Sequence, residues 1–208
     1  MIHHREILAD LAPVRTVAPA TLPVALAEAK AHLRVEHDED DAMMSAILAA
    51  AVGRLDGWSG ILGRCLIEQT WAQPFGRFLC ADRLRLPFPS VSAVEITYFP
   101  ADGSAATDFS SSFWWLTERV TGSMIMLASG AAWPATADRP DAVTVTMTVG
   151  YGAAPEDVPA PIRSAILLMV GDLYRNRETT GQGSATLGTI PMSTTVEALL
   201  APYRRGLV

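Results

Sequence analysis

Between Val143 and Arg177 the hydrophobic period of the chain changes once, from two residues to between three and four, across a turn rich in glycine and proline. Val143-Thr144-Val145-Thr146-Met147-Thr148-Val149 alternates apolar and hydroxyl-bearing side chains, the pattern of a strand with one buried face. Beyond Gly150-Tyr151-Gly152 the apolar positions Ile162, Ala165, Ile166, Met169, Val170, Leu173 and Tyr174 recur at helical spacing and predict one long amphipathic helix. Pro159 and Pro161 fit only its first turn, where a missing N–H costs no hydrogen bond. Arg175 and Arg177 place positive charge at the negative end of the helix dipole. This junction ties a β half of the protein to a helical half.

The same reading extends to both sides. Residues 1–21 lack periodicity and read as an arm, ordered only where something holds it. Leu22, Leu26, Ala29 and Leu33 share one face of a short helix, in which Glu28 stands where the acid of a capping box belongs, but Ala25 offers no side-chain acceptor. Asp38-Glu39-Asp40-Asp41 opens a second helix, carried by Met44, Ile47, Leu48, Ala51, Val52, Leu55 and Trp58 to an end near Gly60. Strands are expected at 65–73, 83–86, 91–99, 112–117, 123–128 and 143–149, with a turn at Asp102-Gly103. A glycine-rich connection follows over 179–190, then a short helix to Leu200 stopped by Pro202.

The expected fold class is therefore α+β. A small helical bundle, with two N-terminal helices and one long and one short C-terminal helix, carries an inserted antiparallel β domain. The expected boundaries are an arm at 1–21, a helical domain at 22–60 and 159–202, a β domain at 61–158 and a tail at 203–208.

Half of the 208 residues are hydrophobic, enough for a sizeable core. No apolar run approaches the length of a membrane span and no signal-peptide core follows the first residues, so a cytoplasmic product without a membrane partner is expected. In a reducing compartment Cys65 and Cys80 read as small buried hydrophobes rather than a disulfide. The net charge of −6 argues against gripping nucleic acid through its phosphates. It is unevenly spread. Eleven basic residues face nineteen acidic ones up to Val158, and five arginines face three acids from Pro159 onward, which suits docking between protein partners of opposite charge.

Motifs for chemistry are scarce. The acidic cluster lacks the spacing, central glycine and distant glutamate of a calcium loop, and the 179–190 glycines lack the Gly-Lys-Ser/Thr of a phosphate loop. No His-Glu-x-x-His, Cys-x-x-Cys or Gly-x-Ser-x-Gly occurs, so a small metal-dependent hydrolase built on His3, His4, His32, His37 and the cysteines has little support. No catalytic residue, metal or cofactor is expected. A β recognition module for glycan or protein is a further alternative, resting on the five tryptophans. Trp114 and Trp115 must point to opposite faces of a strand, leaving one as a candidate exposed anchor.

Four pieces in order carry a resemblance: Leu26-Ala27-Glu28-Ala29-Lys30-Ala31-His32-Leu33-Arg34-Val35 with the acidic cluster; Gln69-Thr70-Trp71; Gly150-Tyr151-Gly152 through Val158-Pro159 to Tyr174-Arg175-Asn176-Arg177-Glu178; and Leu199-Leu200-Ala201-Pro202-Tyr203-Arg204. Together they resemble the head-tail connector (adaptor) proteins of tailed bacteriophages and of phage-derived gene transfer agents, over most of the chain. Ala25 departs from the hydroxyl residue usual before the first piece. The resemblance implies a virion structural protein: a homo-oligomeric, dodecameric ring at the portal vertex. Its partners would be the portal protein and a tail or head-completion (stopper) protein, and DNA would pass through the channel without sequence-specific binding. On that basis Tyr203, Arg204, Arg205, Leu207 and Trp115 are partner-binding candidates, the tail reading otherwise as a frayed terminus. Asp38, Glu39, Asp40 and Asp41 are either channel or interface acids or simply a solvated helix start.

Overall fold

The computed structural model describes residues 11–78, 82–119, 122–176 and 193–205. The chain has an α+β fold of two compact units, one formed by Ala20–Ile67 with Tyr151–Arg205 and the other by Glu68–Gly150 with the described residues up to Pro19. The chain thus leaves the first unit after Ile67 and returns at Tyr151.

The helical unit holds α1 (Leu26–Leu33), α2 (Asp41–Leu55), α3 (Ala160–Arg175) and α4 (Thr194–Leu200). The stripe of α3 buries Ile162, Ala165, Ile166, Met169 and Val170 against Met44, Leu48, Ala51, Val52 and Leu55 of α2 and Val196 and Leu200 of α4. Pro159 stands at the N-cap and Pro161 in the first turn, as the pattern requires. Gly171 is also buried and faces α1: a Cβ there would lie 3.4 Å from Leu33 Cδ2, at van der Waals contact. Leu173 is 43 % exposed, at the margin of the stripe, whereas Tyr174 beside it packs against the core. The Ser193 hydroxyl caps α4 by accepting the Val196 amide at 3.3 Å. Arg177 and the 179–190 connection lie outside the described residues.

Two expectations for this unit are corrected. Helix α2 ends at Leu55 instead of near Gly60, and Trp58 is 49 % exposed. Asp56 leaves the helix in an extended conformation so that its carboxylate accepts the Leu66 amide at 2.7 Å, and Gly57 follows at φ 79°. That turn carries Leu62, Leu66 and Ile67 into the helical core together with Val158, although all four were expected in the β domain.

In the β unit, β1 (Val14–Val17), β2 (Gln69–Phe75), β4 (Val91–Tyr98), β5 (Thr107–Asp108) and β8 (Val143–Val149) form a five-stranded sheet in the order β1-β2-β8-β4-β5. β3 (Arg83–Arg85), β6 (Trp114–Arg119) and β7 (Gly122–Leu127) form a three-stranded sheet in the order β3-β7-β6. Every pairing is antiparallel. Both β2 and β8 alternate buried and half-buried residues along their whole length, the period-two signature. Part of the expected arm is a strand: β1 pairs with β2, Val14 opposite Ala72, and the Gln73 side chain donates to the Leu11 carbonyl at 2.6 Å. The Glu118 carboxylate accepts the Ser123 hydroxyl and the Ser90 amide, and the Ser123 oxygen accepts the Val91 amide at 3.2 Å, joining the small sheet to the start of β4. Phe78, Tyr98, Phe109 and Trp133 pack ring against ring, Phe78 and Trp133 stacked at 4.7 Å.

Ala25 is the extended N-cap of α1 and makes no side-chain bond, while Glu28 instead accepts from Arg163 Nη2 at 2.8 Å and so ties α1 to α3. Ala25→Ser should therefore add up to about 1 kcal/mol by accepting a first-turn amide. A thermal melt that fails to rise would reject the cap.

Candidate functional site

The four acids proposed for a channel or interface sit between α1 and α2 and are engaged within the protein. Lys30 Nζ lies 2.6 Å from both Asp38 Oδ1 and Asp41 Oδ1. Tyr174, from the end of α3, donates its hydroxyl to Asp40 Oδ2 at 2.5 Å. Glu39 meets His37 Nδ1 at 2.9 Å. Asp40 stands at the N-cap of α2 without capping it, so the acids bind helices together more than they cap one. The hydrogen bonds from Lys30 hold the Asp38 carboxyl below its usual range, and those same bonds raise Lys30. Asp38 and Glu39 still turn outward, their side chains 88 % and 82 % exposed.

The C-terminal candidates divide. Tyr203 packs half-buried against the helical core, and the Arg205 amide donates to the Leu62 carbonyl at 3.0 Å. Arg204 is exposed, and Leu207 lies outside the described residues. Beside them Arg64 Nη1 donates to the Tyr151 hydroxyl at 2.7 Å, and its guanidinium carbon lies 5.6 Å from the centre of that ring. Burial pushes the Tyr151 phenol up, against the pull of Arg64. Residues 203–205 are thus built into the helical unit and do not form a frayed end. Lys30, Arg64, Tyr151 and Tyr174 were not anticipated as partners, because bonds such as Tyr174 to Asp40 span 134 positions and leave no local pattern.

Trp114 and Trp115 face opposite ways on β6. Trp114 is half-buried and donates its indole N–H to the Phe109 carbonyl at 3.2 Å, whereas Trp115 is 48 % exposed. Among the described residues no three His, Cys, Asp or Glu side chains gather as a metal site would require, and no helix is long and apolar enough to cross a membrane. His3, His4 and Cys80 lie outside the described residues, and Cys65 is buried.

Neither a protein-family model nor a curated protein matches this sequence. Solved structures do. A chain from the neck of an empty gene transfer agent particle, computed with C6 symmetry, superposes with a TM-score of 0.73 at 20 % identity, covering 95 % of this chain and 97 % of that one. This chain shares that fold. A chain from the virion of a native gene transfer agent particle matches with a TM-score of 0.73 at 22 % identity over the same shares. A third, from the neck of a native particle computed with C12 symmetry, matches with a TM-score of 0.65 at 23 % identity, over 92 % of this chain and 96 % of that one.

The Lys30 pairs define a pH window. Asp38, with its pKa lowered by folding, stabilises the protein above its unfolded value, and that contribution is lost as pH falls through the folded value. Lys30, with its pKa raised, stabilises below its unfolded value until pH rises through the folded one. Asp38→Asn should lower stability at neutral pH, with the gap to wild type closing in acid. Urea denaturation of both proteins from about pH 2 to pH 7 checks this; a gap that does not change with pH would refute it. Tyr174→Phe should cost about 1 kcal/mol in the same measurement through loss of the bond to Asp40.

Proposed function

We propose that this chain is a head-tail connector (adaptor) subunit of a tailed phage or gene transfer agent, assembling as a dodecameric ring beneath the portal. The ring would join the head to a tail or stopper protein and let DNA pass. The observation that carries this reading is the end-to-end likeness to chains from gene transfer agent necks and virions: nearly the whole length of both chains is matched, sheets and helices alike. Such a task is mechanical and needs no catalytic group. A ring of identical subunits meets head to tail around its axis, so each copy presents two different surfaces that fit one another.

In this role the outward carboxylates of Asp38 and Glu39 present negative charge that phosphates do not adhere to during passage. Tyr203 and Arg205 brace the C-terminus, and exposed Arg204 is the tail residue offered to the portal.

Particles produced without this chain should be filled heads lacking tails, and electron microscopy of complete particles should locate the chain at the portal vertex. Tailed, infectious or transducing particles made in its absence would overturn the reading. Arg204→Glu should leave the melting temperature within about 1 °C of wild type, since exposed substitutions away from special features change stability little. It should nevertheless reduce tail attachment. Normal attachment would remove Arg204 from the docking surface.

A further inference from the structure

The two sheets of the β unit have outer faces of opposite character. On the small sheet the register aligns Arg83, Met126 and Trp115 in one row and Arg85, Met124 and Thr117 in the next. Arg119 lies on the same face, its guanidinium 3.5 Å from the Met126 sulfur. Glu118 is turned to the other side, where it holds Ser123. No carboxylate therefore stands at a register position of this face. Arg83 and Arg119 are exposed, Trp115 is 48 % exposed, and both methionines are half-exposed. Arginine, tryptophan and methionine are the residue types enriched where protein interfaces carry energy. β6 is moreover an edge strand six residues long, a feature proteins normally cover or blunt.

The large sheet presents the complement. Its outer rows set Thr148 beside Thr70 and Ala93, Thr146 beside Ala72 and Glu95, and Thr144 beside Thr97, which in turn pairs with Asp108. Small, β-branched side chains make this face flat. Glu95 and Asp108 are exposed, and no lysine or arginine occupies a position of this face on β2, β8, β4 or β5.

We propose that the Arg83, Arg119 and Trp115 face of one copy docks on the Glu95, Asp108 and threonine face of a second copy of this chain, forming the head-to-tail contact of the assembly. This rests on the ring reading and names the surfaces that build it. Trp115 and the methionines supply apolar area against a flat surface, and the arginines meet carboxylates that share their face of β2, β8, β4 and β5 with no basic residue. Duplex DNA is the other ligand a basic face could attract. Exposed methionine and tryptophan beside the arginines, in a chain of net charge −6, fit a protein surface better.

The test uses the full chain in sedimentation velocity and native mass spectrometry over a range of concentration and salt. Arg83→Glu with Arg119→Glu, and separately Glu95→Arg with Asp108→Arg, should each weaken association by roughly tenfold or more, with thermal melts unchanged. Trp115→Ser should weaken it to a similar degree. Joining all four charge reversals in one chain should restore association. Variants that assemble as the wild type does would overturn the proposed contact and leave the ring reading standing. A wild-type chain that stays monomeric throughout would overturn both. Loss of duplex DNA retention by the arginine reversals, with assembly intact, would make the face a nucleic-acid surface and overturn the contact as well.

Discussion

Burial of one stripe on α3 holds the helical unit together. Ile162, Ala165, Ile166, Met169 and Val170 touch residues of α2 and α4, and Gly171 on the same helix faces Leu33 of α1. Each of the larger side chains contributes about 1.5–3 kcal/mol of hydrophobic stabilisation. The polar ties, Arg163 to Glu28 and Tyr174 to Asp40, stand at opposite ends of the helix and set its orientation more than its stability. Remove the stripe and the other three helices have no common partner; their own lengths are too short for stable isolated helices.

The β unit is held by a different rule. Each sheet buries alternate residues, and a shift of one position in any pairing would exchange the buried face for the exposed one. The link from Glu118 through Ser123 to Ser90 and Val91 joins the small sheet to β4 by hydrogen bonds to main-chain amides. Because each sheet commits one face to the interior, it leaves the other for neighbours. An assembly protein of the proposed kind needs such uncommitted faces, and it needs them to differ. The arginine, methionine and tryptophan face and the threonine and carboxylate face meet that requirement within one unit.

Charge that looked available in the sequence is largely used inside the protein. The Asp38–Asp41 cluster binds Lys30, His37 and Tyr174, and two of the C-terminal candidates are anchored on the helical core. Among the described residues, what remains of those candidates for partners is narrower, the outward edges of Asp38 and Glu39, the Arg204 side chain and Trp115, together with the outer faces of the sheets.

Elements with sustained periodicity were determined by the sequence itself, because alternation over seven residues or a stripe over thirteen admits one backbone that buries it: β8 and α3 stand where their patterns put them, whereas β2 starts four residues later than expected, at Gln69, and α2 stops short at Leu55. Parity alone likewise required Trp114 and Trp115 to face apart. Tertiary structure decided the rest. β1 is exposed at every residue and carries no alternation, so it is a strand only because β2 offers it an edge. The stop of α2 at Leu55 depends on an amide ten residues away, and the helical placement of Leu62, Leu66 and Ile67 follows from that turn. The partners of the four acids come from two helices, α1 and α3, and a loop. Local patterns record what a segment must bury, whereas the identity of the neighbour it meets depends on contacts between segments far apart in the chain.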